Sequence, residues 1–160
     1  MNTRLGVDFA IDSIDDALLA VVRVLSQGRV HEQILRDARV DITRADSALL
    51  YTLHTTGDCV RLGDLADRLG VDAPTVTRRV QQLEGRGLLR RSSDPDDRRA
   101  QRVHLTANGK RTIERLMVAR RCWLERLLEP WSAADRQQFG RGLAEFAAAI
   151  NTYVENADGH

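Results

Sequence analysis

The chain has 160 residues, enough for one domain or two closely knit lobes, and its 42% hydrophobic and 29% charged content is ordinary for a water-soluble globular protein. The longest apolar run, Ala17 to Val22, is far short of the roughly 20 residues that span a bilayer, and the acidic start MNTRLGVDFAIDSIDD has no signal-peptide core. A membrane-spanning helix is thereby excluded and a cytoplasmic protein predicted. With two cysteines only, Cys59 and Cys122, a disulfide scaffold is excluded too; both are expected as small buried hydrophobes, with a redox role for either left open.

The net charge of +1 conceals an asymmetry. Between Arg61 and Arg121 there are 15 basic and eight acidic residues, a balance of +7, which leaves the rest of the chain at −6. A polyanion meeting the middle of the chain would suit that distribution, although a solvated surface would also produce it.

Taken in order, Ile14, Leu18, Val21, Val22 and Leu25 follow helical spacing. They predict a long first helix from about Ser13 to the region of Ala38, with Gly28 as its weak point. Thr43 is placed to cap a second helix that carries Ala48, Leu49 and Leu53 and ends at Gly57. Cys59 to Leu62 reads as a short strand. Gly63 to Leu69 reads as a short helix with Leu65, Ala66 and Leu69 inward, closed by Gly70. Asp72 can cap the next helix, and Pro74 sits in its first turn, where a missing N–H costs nothing. That helix runs to about Gly85, and the pair makes a helix-turn-helix. Leu88 to Ser92 and Gln101 to Leu105 are expected strands flanking an Asp94–Pro95 turn, which adds a wing. Thr106 then caps a long helix through Leu128, and Pro130 breaks it. Ser132 with Asp135 resembles a capping box before a last helix carrying Phe139, Leu143, Phe146, Ile150 and Val154.

The chemistry is concentrated in the middle. Val76, Val80 and Leu83 mark the inward face of the second helix of the helix-turn-helix. Thr75, Arg78, Arg79 and Gln82 recur at i, i+3, i+4 and i+7 on another face. Arg can donate two hydrogen bonds to guanine, Gln can bond both edges of adenine, and Thr can touch a phosphate or a thymine methyl. The plain alternative is a polar helix face. Against it, no acid of this helix lies on that face to pair the arginines, since Glu84 points elsewhere.

The wing raises a second question, because Asp94, Asp96 and Asp97 lie directly against Arg98 and Arg99. A cation at the tip can enter a narrow minor groove, and Asp97 is spaced to orient Arg99 beforehand. Asp94 and Asp96 are read as shaping the turn through side-chain to backbone hydrogen bonds. A solvated surface ion pair, contributing about 0–1 kcal/mol, is the bland alternative.

From Leu65 to Gly109 the stretch LADRLGVDAPTVTRRVQQLEGRGLLRRSSDPDDRRAQRVHLTANG resembles the MarR family of transcriptional regulators. It carries that family's T-R-x-V-x-x-L-E-x-x-G-L-L-x-R, D-x-R and L-T-x-x-G pattern. The resemblance implies a mainly α fold with a small β-wing, a winged helix-turn-helix core flanked by long terminal dimerisation helices. Residues 43–121 would form the DNA-binding lobe, and residues 1–42 with 122–160 the dimerisation region. It implies a homodimer on double-stranded DNA, with Pro74, Thr75 and Arg78 in the major groove and Thr77 adding a phosphate or base contact. Arg99, oriented by Asp97 and beside Arg98, would be the wing arginine. Repression released by a small phenolic or lipophilic effector is the family default. His31, Tyr51, His54 and Trp131 could line an effector pocket, but each reads better as core or interface, so no ligand residue is assigned. No cofactor is expected. The peroxide-sensing branch is disfavoured because the first helix has no Cys, and four scattered histidines predict no metal site.

An enzyme is a rival reading, yet the chain has no phosphate-binding Gly-rich loop, no HExxH and no GxSxG. Other rivals are a winged helix that binds proteins and an architectural module that binds any duplex.

Overall fold

The computed structural model describes residues 3–57, 59–97 and 100–158, residues 3–9 and 158 as backbone only. Two compact units divide it, residues 1–120 and residues 121–160.

In the first unit, the helix expected from Ser13 to Ala38 is two helices, α1 (Thr3–Ser26) and α2 (Arg29–Ala38). The break falls at Gly28, whose φ of 79° is left-handed and open to glycine without a Cβ penalty. Helix α3 (Arg44–Thr56) begins on a full capping box. The Thr43 hydroxyl accepts from the Asp46 N–H at 3.1 Å, and the Asp46 carboxylate accepts from the Thr43 N–H at 2.9 Å. After strand β1 (Cys59–Arg61) come α4 (Leu62–Leu69) and α5 (Ala73–Gly85), the two helices of the helix-turn-helix. Strands β2 (Leu89–Ser93) and β3 (Gln101–Leu105) form the wing, each within a residue of its expected limits. The sheet is antiparallel in the order β1-β3-β2, so β1 joins the wing through β3, pairing Val60 with Val103.

Helix α6 (Ala107–Leu127) starts against the base of the wing. The Thr106 hydroxyl accepts from the Gly109 N–H at 3.0 Å and donates to the Gly87 carbonyl at 2.7 Å. Gly109 lies so close to the strand entry that a Cβ there would stand 2.1 Å from the Leu88 carbonyl oxygen. The glycine of the L-T-x-x-G pattern is thus explained by packing. The core lies among Leu49, Leu50 and Leu53 of α3, Leu65 of α4, Val76, Val80 and Leu83 of α5, the sheet, and Ile113 of α6. Leu69, expected inward, is half-buried.

In the second unit, α7 (Ala133–Asp158) starts where the Ser132 hydroxyl accepts from the Asp135 N–H at 3.1 Å. The Trp131 and Phe139 rings meet edge to face at 5.3 Å. Every described side chain of α1 and of α7 is exposed, including Leu19, Phe146 and Ile150.

The expectation that both cysteines are buried is corrected. Cys59 is half-buried because Val60 takes the inward face of β1. Cys122 is exposed because it lies beyond Ala119, the last buried residue of α6. Among the described residues no helix is long and apolar enough to cross a membrane.

Candidate nucleic-acid interface

Helix α5 is anchored from within and open outward. Val76, Val80 and Leu83 are at most 1% exposed, so the opposite face is held against rotation by core packing. Pro74, Arg78 and Gln82 are exposed on it. Among the described residues the side chains of Arg78 and Gln82 have no hydrogen-bonding or ion-pair partner, which leaves their donors unused. Thr75 and Thr77 are half-buried, and each spends its hydroxyl proton inside the chain. Thr75 donates to the Asp72 carboxylate at 2.8 Å and Thr77 to the Ala73 carbonyl at 2.8 Å. Their oxygens can still accept, and their methyls can still touch a base. The Thr75 hydroxyl, then its N–H at 2.9 Å, holds the Asp72 carboxyl below the usual carboxylate range.

Arg79 departs from the sequence reading. An acid does pair it, contributed by another helix: Arg79 Nη1 lies 3.2 Å from Asp46 Oδ1 and 3.4 Å from Thr43 Oγ1. The acid of α5 itself, Glu84, does point elsewhere, pairing Arg91 at 2.7 Å. That contact holds the Glu84 carboxyl below its ordinary range.

The wing hairpin is organised by Asp94, which is 1% exposed. Its Oδ1 accepts from the N–H groups of Asp96 at 2.9 Å and Asp97 at 3.3 Å, which is the expected turn-shaping role. Its Oδ2 accepts from Arg102 Nε at 2.8 Å and Arg61 Nε at 2.7 Å. The two guanidinium groups, Arg102 first, hold its carboxyl far below the usual carboxylate range. Asp94 therefore ties the wing turn to β1 and β3 at once, a role the sequence reading missed. The only sequence signal was the clustering of Asp94 with arginines, which could not tell a buried hub from a solvated pair. Asp96 enters the turn through its N–H rather than its side chain, whose exposed carboxylate lies in a looser ion pair 3.5 Å from Arg102 Nη2. Arg98 and Arg99, the expected wing arginines, lie outside the described residues; the Asp97 carbonyl accepts from the Ala100 N–H at 2.9 Å.

On the outer face of the sheet, His104 Nε2 lies 2.7 Å from the Ser92 hydroxyl and 3.9 Å from Cys59 Sγ. Burial, then Arg90 and Arg102, pushes its pKa down. His31 bonds the Ser47 hydroxyl at 3.1 Å, and burial, then Arg44 and Arg120, lowers its pKa as well. Tyr51 and Trp131 are exposed and His54 is half-buried, so none of these is a core residue. Among the described residues no three His, Cys, Asp or Glu side chains are grouped to hold a metal ion.

Comparison with known proteins agrees with this geometry. Residues 42–100 match the model of the MarR family. The chain is 30% identical to the HTH-type transcriptional regulator YxaD of Bacillus subtilis over 69% of its own length and 76% of that protein's. It is 31% identical to YdgJ of the same organism over 64% of its length, a match that spans only 62% of YdgJ. Among solved structures, RV1404 of Mycobacterium tuberculosis superposes with a TM-score of 0.73 at 31% identity, covering 87% of this chain and 93% of that one. A MarR family protein from Bacillus stearothermophilus gives 0.78 at 25% identity, covering 94% and 99%. The PcaV regulator of Streptomyces coelicolor, solved with its natural ligand, gives 0.58 at 27%, covering 81% and 91%. The relatives are named as regulators rather than enzymes.

Proposed function

The chain belongs to the MarR family of HTH-type transcriptional regulators, and from that premise we propose that it binds a pseudo-palindromic operator as a homodimer, represses there, and is released by a small molecule. The observation that carries the DNA-binding part is the pair of exposed side chains Arg78 and Gln82, neither hydrogen-bonded nor in a close ion pair among the described residues, on the outward face of a core-anchored α5. Both are base-reading side chains, and a helix in the major groove presents such residues to base edges. Pro74, Thr75 and Thr77 belong to the same surface at its N-terminal end. Arg98 and Arg99 are assigned to the minor groove beside it, with Asp97 orienting Arg99; the β2–β3 hairpin supports this by providing a wing to carry them.

The homodimer is supported by the wholly exposed apolar side chains of α1 and α7, which a single chain leaves in water. Residues 1–42 and 122–160 are accordingly proposed as the dimerisation region, and 43–121 as the DNA-binding lobe. A two-fold dimer presents two copies of α5 to half-sites about one helical turn apart. Release by a phenolic or lipophilic effector draws support from PcaV, a relative in fold that binds a ligand. Such a ligand need only favour a dimer geometry in which the two α5 helices no longer match successive grooves.

The test is selection of binding sites from random duplexes at about physiological salt. An enriched pseudo-palindrome is expected. Binding without enrichment, falling steadily with salt, would instead mark an architectural DNA binder. No binding at all by ligand-free dimer would move the winged helix to protein interaction.

A further inference from the structure

One arginine of α5 and the arginine that caps its C-terminal end both reach one short segment. Arg79 reaches Asp46 Oδ1 at 3.2 Å and Thr43 Oγ1 at 3.4 Å. Arg86, seven residues on, donates through Nη2 to the Asp41 carbonyl and lies 3.4 Å from the Asp41 carboxylate. A third arginine arrives from α6, where Arg115 Nη2 donates to the Arg39 carbonyl at 2.8 Å. Residues 39–46, the joint between α2 and α3 with the first turn of α3, therefore receive cations from the recognition helix, from its C-terminal cap and from α6 together.

The acceptors at this joint are built, since Asp46 is only 6% exposed and its second oxygen already bonds the Thr43 N–H at 2.9 Å. A buried carboxylate that loses its cation is left with an uncompensated charge, so the Asp46–Arg79 contact is costly to break. Arg79 itself is largely covered, its side chain 29% exposed. An arginine in that state is not free to follow a base edge. Core packing fixes α5 on its Val76, Val80 and Leu83 side. The Arg79 and Arg86 contacts add polar constraints away from that apolar face, one on the helix and one at its C-terminal cap.

The geometry points to Arg79 as a positioning residue, which sets the angle of α5 through Asp46 and Thr43 instead of reading DNA, with Arg86 on Asp41 as its second anchor. This rests on the DNA-binding reading above and reassigns one residue within it.

The experiment compares the full-length protein with Arg79→Gln, Arg79→Lys, Asp46→Asn and the Arg79→Gln/Asp46→Asn double variant. Affinity is measured on the selected operator and on a random duplex across a salt series. Wild-type binding to neither duplex would defeat the DNA-binding reading itself, and the positioning role with it. With wild-type binding in place, Arg79→Gln and Asp46→Asn should each weaken operator binding about tenfold and change random-duplex binding less than about twofold. The double variant should be no weaker than the worse single one, because both remove one contact. Arg79→Lys, able to reach the same carboxylate, should recover most of the loss. The salt slope on random duplex should stay as in wild type. A slope lower by about one in Arg79→Gln, or tighter binding by Asp46→Asn, would mean that Arg79 touches DNA and would overturn the proposal. Equal loss on both duplexes would overturn it as well, since that marks a smaller folded fraction. If Asp46→Asn is unfolded by circular dichroism, the two Arg79 variants decide alone, by whether Lys restores the operator-to-random ratio that Gln loses.

Discussion

The lobe running from α3 to the start of α6 and the terminal helices α1 and α7 carry the same apolar periodicity and use it in opposite ways. In the lobe, Leu49, Leu53, Leu65, Val80 and Ile113 are fully enclosed by their own chain. In α1, Leu19 is 60% exposed and Val22 51%, and in α7 Leu143, Phe146 and Ile150 also stand in water. Apolar spacing therefore says which face of a helix is to be covered, and nothing about which chain covers it. The lobe's apolar side chains are covered within the chain, whereas those of α1 and α7 stand exposed on a single chain.

The sharpest way to break this contrast is to charge an exposed terminal stripe. Leu19→Glu with Val22→Glu should leave the lobe folded, halve the mass seen by light scattering, and weaken operator binding by about a hundredfold or more as two linked contacts become one. A stable dimer at unchanged affinity would show that α1 is not the covered surface. The converse experiment alters the lobe. Gly109→Ala forces a methyl onto the Leu88 carbonyl and should cost about 1–3 kcal/mol of stability, read as a lower urea midpoint with dimerisation retained in the folded fraction. Next, Arg78→Ala should cost about 1–3 kcal/mol on the operator and relax preference at one base pair. Loss of equal size on random DNA would remove base reading from Arg78. The smallest effect concerns pH. Burial and nearby arginines lower the pKa of His31 and His104 in the fold, so as the pH drops below their ordinary value of about 6.5 the unfolded chain binds more protons. Stability should be level above that pH and fall as the pH drops below it. His104→Gln should flatten part of this slope in urea midpoints taken from about pH 5 to 8, while the terminal helices contribute no histidine to it.

What could be read from the sequence was what is local in it. The caps at Thr43, Asp72, Thr106 and Ser132 depend on a side chain meeting an N–H three residues on, and the structure has all four. The inward face of α5 was equally plain, because its period is fixed by the helix itself. Gly28 was visible as a weak point, but its full break depends on a backbone angle that spacing does not encode. The ties between elements were hidden. Arg79 finds Asp46 from 33 positions away, and Asp94 meets Arg61 from the same distance. Which acid meets which base there follows from how helices and strands cross, and a charge count along the chain treats every one of them as surface. Cys122 failed for a related reason, since its composition suits a core and its position on α6 lies past the core's end.

The strand order carries a consequence for how the chain is made. Strand β1 has no partner among its neighbours in sequence; its ladder is with β3, which begins about 40 residues later, after both helices of the helix-turn-helix and β2 have been synthesised. Closing so long a loop delays the pairing relative to local helix formation. On the ribosome, α3, α4 and α5 can coil as they emerge, but the lobe gains its sheet only once Leu105 is clear of the exit tunnel. A nascent chain stalled before Gln101 should stay protease-sensitive, and one stalled well beyond Leu105 should resist, so the wing closes the lobe in time as well as in space.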